Sequence, residues 1–154
     1  MLAQFLQSAL TGVSRIGPFW ASCLNVGAVG MAVIASFRDL IVWQKSIALA
    51  EDAYVLAASL PRSDQFELAS QMRRSSASVP ANIAEGHNGR SRRSYANHIA
   101  IALGSLAEFE SHVELTVRLG LVEPSAASML LERAGEVNRM LHALARALKS
   151  PPRV

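Results

Sequence analysis

The side chains best equipped for chemistry in this chain are five arginines in one short stretch. Between Gln71 and Arg93 stand Arg73, Arg74, Arg90, Arg92 and Arg93, against a single acid, Glu85. A guanidinium group is planar, permanently charged and able to grip two phosphate oxygens at once. The expected ligand of such a cluster is therefore an anion, RNA or DNA before any other. The plainer reading is a solvated helix end, or ion pairs to the acidic face of a neighbouring subunit. From Glu108 to Glu123 the balance reverses, with four glutamates against Arg118. One end of the molecule should be basic and another surface acidic, a pattern that also fits head-to-tail subunit contacts. Arg73 and Arg74 are consecutive, so on a helix they point about 100° apart. At most one of them shares a face with any given loop arginine.

Other chemistries lack their parts. Four histidines (His87, His98, His112, His142) raise the question of a metal. Helical di-iron sites need inward Glu-x-x-His pairs. The residues three after Glu85, Glu108, Glu110 and Glu136 are Asn88, Ser111, Val113 and Arg139, so no metal is expected. The serines fall in helices or at caps, with no nucleophile elbow. Gly86-His-Asn-Gly89 lacks the lysine and the strand-to-helix setting of a phosphate-binding loop. The single cysteine, Cys23, excludes an internal disulfide and any cysteine-based metal site. Trp43 and Tyr95 could stack on bases, but their place on apolar stripes favours packing in a core or interface. No catalytic residues, cofactor or small-molecule substrate are expected.

These arginines must be positioned by helices. Hydrophobic residues make up 51% of the chain and aromatics only 6%, a balance supplied mostly by Ala and Leu and suited to helices. The chain's 154 residues give room for one domain with a real core. The first helix is expected from about Phe37 to Ser59, with Ser36 and Asp39 as an approximate capping box. Its buried stripe reads Leu40, Trp43 or Ile47, Ala50, Tyr54 and Leu56-Ala57. The second is expected from about Asp64 to Glu85, capped by Ser63. Its stripe reads Phe66, Ala69, Met72, Ser76, Val79 and Ile83. Pro80 should kink or open it, with nearby Ser or Asn side chains serving the Ser76 carbonyl, and Gly86 should be the residue just past its end. The third is expected from Ser91 or Arg92 to Leu119, along Tyr95, Ile99, Ala102, Leu103, Leu106, Phe109, Val113 and Val117. Gly104 and Ser105 make a small patch suited to a close crossing. The fourth is expected from Pro124 to Lys149, with Met129-Leu130, Ala134, Val137, Met140-Leu141, Leu144 and Leu148 inward. Four such helices with short loops predict an all-α, antiparallel, up-down-up-down bundle over 36–149, with a tail at 150–154.

Residues 1–35 read differently. Arg15 is the only charge before Arg38, and Ile16–Phe37 is an uncharged run of 22 residues. Three readings are open: an over-long start with Met31 as the true initiator, a mobile arm, or a targeting segment.

Two motifs then carry a resemblance. Leu68-Ala-Ser-Gln71-Met-Arg73-Arg74 followed by Ser78-Val-Pro80-Ala-Asn82-Ile-Ala-Glu85-Gly86, and Ile101-Ala-Leu-Gly104-Ser-Leu-Ala-Glu108, occur in the right order after Phe37-Arg-Asp-Leu-Ile-Val-Trp43-Gln-Lys45. From about Phe37 to Leu148 the chain resembles the four-helix bundle family of proteins encoded in intervening sequences of bacterial 23S ribosomal RNA. Accessory proteins of diversity-generating retroelements are its relatives. The resemblance implies a protomer that assembles into a ring, typically a pentamer. In the retroelement branch it implies nucleic-acid binding beside a reverse transcriptase. It also marks Pro80, Asn82, Glu85, Gly86 and Gly104 as a structural signature. Asn82 and Glu85 are read as satisfying backbone or cationic groups, and Glu85, in a last helical turn, should have a cationic partner. Together these readings give a non-enzymatic, cytoplasmic homo-oligomer that binds RNA or DNA through the arginine-rich junction; the alternative is a protein-interaction scaffold without nucleic-acid affinity.

Overall fold

The computed structural model describes residues 34–63, 67–89 and 91–150. The whole of 1–33, Arg90 and the expected stripe residue Phe66 lie outside them. Helix α1 spans Ile41–Ser59, α2 Leu68–His87, α3 Arg92–Arg118 and α4 Pro124–Lys149. No strand occurs among the described residues. Each helix packs on its neighbour in sequence, α2 against α3 most extensively, and α1 closes on α4. The architecture is the expected four-helix bundle.

The ends of the helices follow from local chemistry. The Ser36/Asp39 capping box exists, but it caps a separate 3-10 turn, Phe37–Asp39. Asp39 Oδ2 accepts from the backbone N–H groups of Ser36 (2.9 Å) and Ala35 (3.0 Å). Leu40 then leaves the helical region with ψ of 118°, so α1 begins at Ile41 and not at Phe37. The Phe37 ring meets Trp43 edge-on at 5.1 Å, fixing the turn against α1. Helix α2 begins later than expected, with Glu67 at its N-cap in place of Ser63. Ser91 caps α3 by accepting from the Ser94 N–H at 3.1 Å. Gly120, at φ 69°, ends α3: the N–H of Leu121 reaches the Thr116 carbonyl and that of Gly120 the Val117 carbonyl, both at 2.9 Å. That is a Schellman motif, and its left-handed residue favours glycine. Pro124 opens α4 where its missing N–H costs nothing.

The core runs along Leu49, Met72, Val79, Ile83, Ile99, Leu106, Phe109, Val113, Val137 and Leu141, each almost fully buried. The stripes expected for α2 and α3 hold wherever described. The stripe of α1 holds in part. Ala50 and Ala57 are buried as expected, and Leu40, Trp43 and Leu56 pack half-buried against the core, but Tyr54 remains 49% exposed and Val42, Ser46, Leu49 and Ala53 supply the rest of the inward face. In α4, Leu130 is buried and Met129 is 59% exposed. Four polar side chains are buried: Ser46, Ser75, Ser76 and Thr116. Each hydroxyl donates to a carbonyl one turn back in its own helix, so none is left unsatisfied.

Two signature glycines behave differently from expectation. Gly86 lies inside α2, which runs on to His87 and is capped at Asn88, so Gly86 is not the residue past the helix end. It is buried, and a Cβ there would sit 2.4 Å from Tyr95 Cδ2 and 3.0 Å from His98 Cβ. Gly86 is needed for the close crossing of α2 and α3. Gly104, where a close crossing was expected, has nothing within 4 Å of its would-be Cβ. Pro80 sits buried in an α2 that continues through it. The amide of Asn82 donates to the Ser78 carbonyl (2.9 Å) and the Ser78 hydroxyl (3.1 Å), two residues on from the Ser76 carbonyl that Pro80 leaves without its helical donor.

Candidate nucleic-acid interface: the basic end of the bundle

Alternation of helix direction brings four chain segments to one end: the turn before α1, the C-terminus of α2, the N-terminus of α3 and the C-terminus of α4. Arg92 is the link between the last two. Its Nη2 donates to the carbonyls of Ala147 (2.7 Å), Ser150 (2.8 Å) and Leu148 (3.4 Å). Its Nε also points at Leu148 O, at 3.4 Å. The last turn of a helix presents unpaired carbonyls and partial negative charge, and a guanidinium answers both. Arg92 is thus committed to architecture.

That clasp carries Arg146 and Lys149, in the last turn of α4, to the same end as Arg93. Neither lies in the arginine-rich stretch between Gln71 and Arg93. The up-down-up-down topology alone brings them here, because the N-terminus of α3 and the C-terminus of an antiparallel α4 share one end. Arg93 is exposed, and its side chain makes no hydrogen bond or ion pair among the described residues. It stands in the first turn of α3, where helix electrostatics disfavour a cation. Arg38 is exposed in the turn before α1, with its guanidinium 4.5 Å from the Phe37 ring centroid.

The acids at this end have partners within the protomer. Asp39 holds the two backbone N–H groups of its cap. Glu85 Oε2 lies 3.5 Å from His98 Nδ1, which is also 3.3 Å from Asn82 Oδ1. The cationic partner expected for Glu85 is therefore a histidine, when protonated, and not an arginine. Ser105 and Ser78 share a hydrogen bond at 2.9 Å, so a polar ladder from Ser105 through Ser78, Asn82 and His98 to Glu85 runs along the α2/α3 seam. The contacts of Asn82 and Glu85 thus lie within the protomer, to Ser78 and His98.

Arg73 and Arg74 do not join this end. From Arg73 to His87 the helix advances about 21 Å. The Arg73 guanidinium lies 6.0 Å from the Tyr54 ring centroid on α1, and Arg74 is exposed on the adjacent face. Arg90 lies outside the described residues. The five arginines thus divide into a mid-helix pair, a structural clasp and the exposed Arg93, with Arg90 undescribed.

The opposite half is acidic, as expected from the sequence. Glu108, Glu110, Glu114 and Glu123 belong to the C-terminal part of α3 and the loop after it, with Arg118 paired to Glu114 at 3.2 Å. Burial holds the Glu110 carboxyl above its usual range. Burial also raises the Tyr95 phenol, whose buried hydroxyl has no hydrogen-bond partner among the described residues. Among the described residues no group of three or more His, Cys, Asp or Glu side chains could hold a metal ion. No described helix is long and apolar enough to cross a membrane.

A family model described as 23S rRNA-intervening sequence protein matches residues 38–143. A solved structure is similar: a protein of unknown function from the S23 ribosomal protein family of Bacteroides thetaiotaomicron VPI-5482, with a TM-score of 0.65 and 27% identity. The match covers 69% of this chain and 96% of that one. No curated protein matches the chain. With the signature stretch on α2 and α3 inside the matched span, the chain belongs to the 23S rRNA-intervening sequence protein family.

Proposed function

We propose that this protein is a non-catalytic accessory that binds RNA or DNA through the basic end of its bundle. The observation that carries the reading is Arg93, an exposed cation kept in the first turn of a helix with no counter-charge among the described residues. Arg38, Arg146 and Lys149 stand at the same end, where cations outnumber the two acids: Asp39 holds its cap and Glu85 faces His98. Phosphate is the anion that such a spread of cations suits, and contacts of this kind position a backbone without reading bases. The family's association with 23S rRNA intervening sequences supports structured RNA as the first probe. The resemblance to retroelement accessory proteins adds a reverse transcriptase as a proposed partner.

The test is fluorescence anisotropy with a labelled RNA hairpin and a DNA duplex of equal length. Four phosphate contacts predict that affinity for duplex falls about a hundredfold between 50 and 200 mM salt. Replacing Arg93, Arg146 and Lys149 by Ala should weaken binding to every sequence alike and flatten the salt slope. Replacing Arg73 and Arg74 should do neither. Binding that ignores salt, or that is lost only with Arg73 and Arg74, rejects this interface. A scaffold without nucleic-acid affinity is the second reading, favoured by the apolar side chains α1 leaves uncovered, and absence of any retention selects it.

A further inference from the structure

The polar ladder on the α2/α3 seam fixes which nitrogen of His98 can change its charge. The Ser78 carbonyl can only accept, so the Asn82 group that reaches it at 2.9 Å is the amide Nδ2. The other end of that side chain, Asn82 Oδ1, is thereby turned to His98 Nδ1, 3.3 Å away. Oδ1 can only accept as well, so Nδ1 carries the proton of the neutral ring. Glu85 Oε2, 3.5 Å from the same nitrogen, requires the same tautomer. Nε2 is left as the atom that gains a proton when the ring becomes charged. It has no partner among the described residues, it is not sealed from solvent as His112 Nε2 is, and its side chain is 28% exposed.

Glu85 is the one acid within ion-pair distance of this imidazole among the described residues, and it sits on the Nδ1 side. The other titratable groups of this part of the seam are Tyr95, one turn earlier on α3, and His87 of α2, edge-on to the Tyr95 ring. Along the axis of α3, His98 stands about 7.5 Å from Arg93, at the margin of the basic end. We propose that His98 is a titratable phosphate contact: Asn82 and Glu85 hold its Nδ1–H, and the Nε2–H of the charged ring donates to a phosphate oxygen of a bound nucleic acid. Taking up the proton turns Nε2 from an acceptor into a donor and adds one positive charge at the rim, with Glu85 as its counter-ion on the side away from the ligand. This inference rests on the nucleic-acid reading and adds a dependence on pH to it.

Two measurements on the full chain test it. Long-range proton–nitrogen NMR at pH 8 should show His98 as the Nδ1–H tautomer. The Nε2–H tautomer overturns the proposal whether or not nucleic acid binds, and this arm needs no variant. Fluorescence anisotropy with the labelled RNA hairpin is then run at pH 8 and pH 5.5, either side of the range in which histidine changes charge. The lower pH should tighten binding about tenfold, the worth of one charge-assisted hydrogen bond. It should also steepen the salt slope by about one, which a merely structural histidine would not do. In His98→Gln, which cannot take up a proton, most of the gain and the added slope should disappear while binding at pH 8 stays at the parent's value. Binding of the parent that ignores pH, or a gain that persists in His98→Gln, overturns this proposal and leaves the nucleic-acid reading standing. No binding by the parent at either pH rejects both.

Discussion

Replacing Gly86 by Ala sets two known effects against each other. In a helix interior, Ala is better than Gly by about 1 kcal/mol, so propensity alone makes Gly86→Ala stabilising. The structure argues the other way. The new methyl would lie 2.4 Å from Tyr95 Cδ2, and 3.0 Å from both Tyr95 Cε2 and His98 Cβ. Real carbon contacts sit near 3.5–4.0 Å, so α2 and α3 must separate or Tyr95 must leave its rotamer. Overpacking of this kind costs roughly 1–3 kcal/mol, and a clash on two neighbours belongs at the upper end. The net expectation is a loss of about 1–2 kcal/mol, which lowers the melting temperature by several degrees for a domain of this size. Urea and thermal unfolding followed by circular dichroism measure it. The cause is isolated by repeating the substitution in a Tyr95→Ala background. There most of the obstacle is gone, and Gly86→Ala should become close to neutral or stabilising. If Gly86→Ala stabilises the parent chain, or costs the same with and without Tyr95, the close-crossing argument is wrong.

Arg92→Ala should loosen the last turn of α4, with faster hydrogen exchange at residues 146–150 and a loss of about 1–2 kcal/mol, since hydrogen bonds from a charged group are being removed at an exposed site. Unchanged exchange there would show that the clasp is incidental. Tyr95→Phe removes a buried hydroxyl without a partner, so it should leave stability unchanged or raise it by about 1 kcal/mol; a clear loss would reveal a partner for that hydroxyl. Glu110→Gln has a pH-dependent sign. A carboxyl whose folded pKa is raised binds its proton more readily in the native state, so its presence costs stability once pH exceeds that raised value. The variant should melt higher than the parent at pH 7 and equally at pH 3; an advantage that persists at low pH refutes the burial argument.

Helix count, order and most core positions of α2 and α3 were legible because those segments alternate small or apolar residues with charged ones at a clear 3.6-residue period. The inward face of α1 was legible only in part, because a segment apolar on most sides gives the same pattern for several rotations, and only packing on α2 and α4 decides between Tyr54 and Ala53 as the inward residue. Likewise Met129 and Leu130 are equivalent until a neighbour chooses one. Gly86 looked like a helix stop because glycine favours helix ends, whereas its actual role depends on Tyr95, nine residues away along the chain and adjacent only across a crossing. The basic end was anticipated in kind but not in membership. A charge count along the sequence groups Arg73 with Arg93, and it cannot register that Arg146 and Lys149 arrive from the far end of the chain.

The seam between α1 and α4 has a consequence for how the chain is made. It joins the first helix to the last, with Lys45 to Glu136 at 2.8 Å and Asp52 to Arg133 across it. The other three seams link consecutive helices, so each can form as soon as its second helix leaves the ribosome. This one must wait until residues beyond Glu136 have emerged. Until then the most apolar helix in the bundle keeps one edge open to water and to other nascent chains. Its closure is the helix contact of longest sequence separation, the one that carries the largest loop-closure cost.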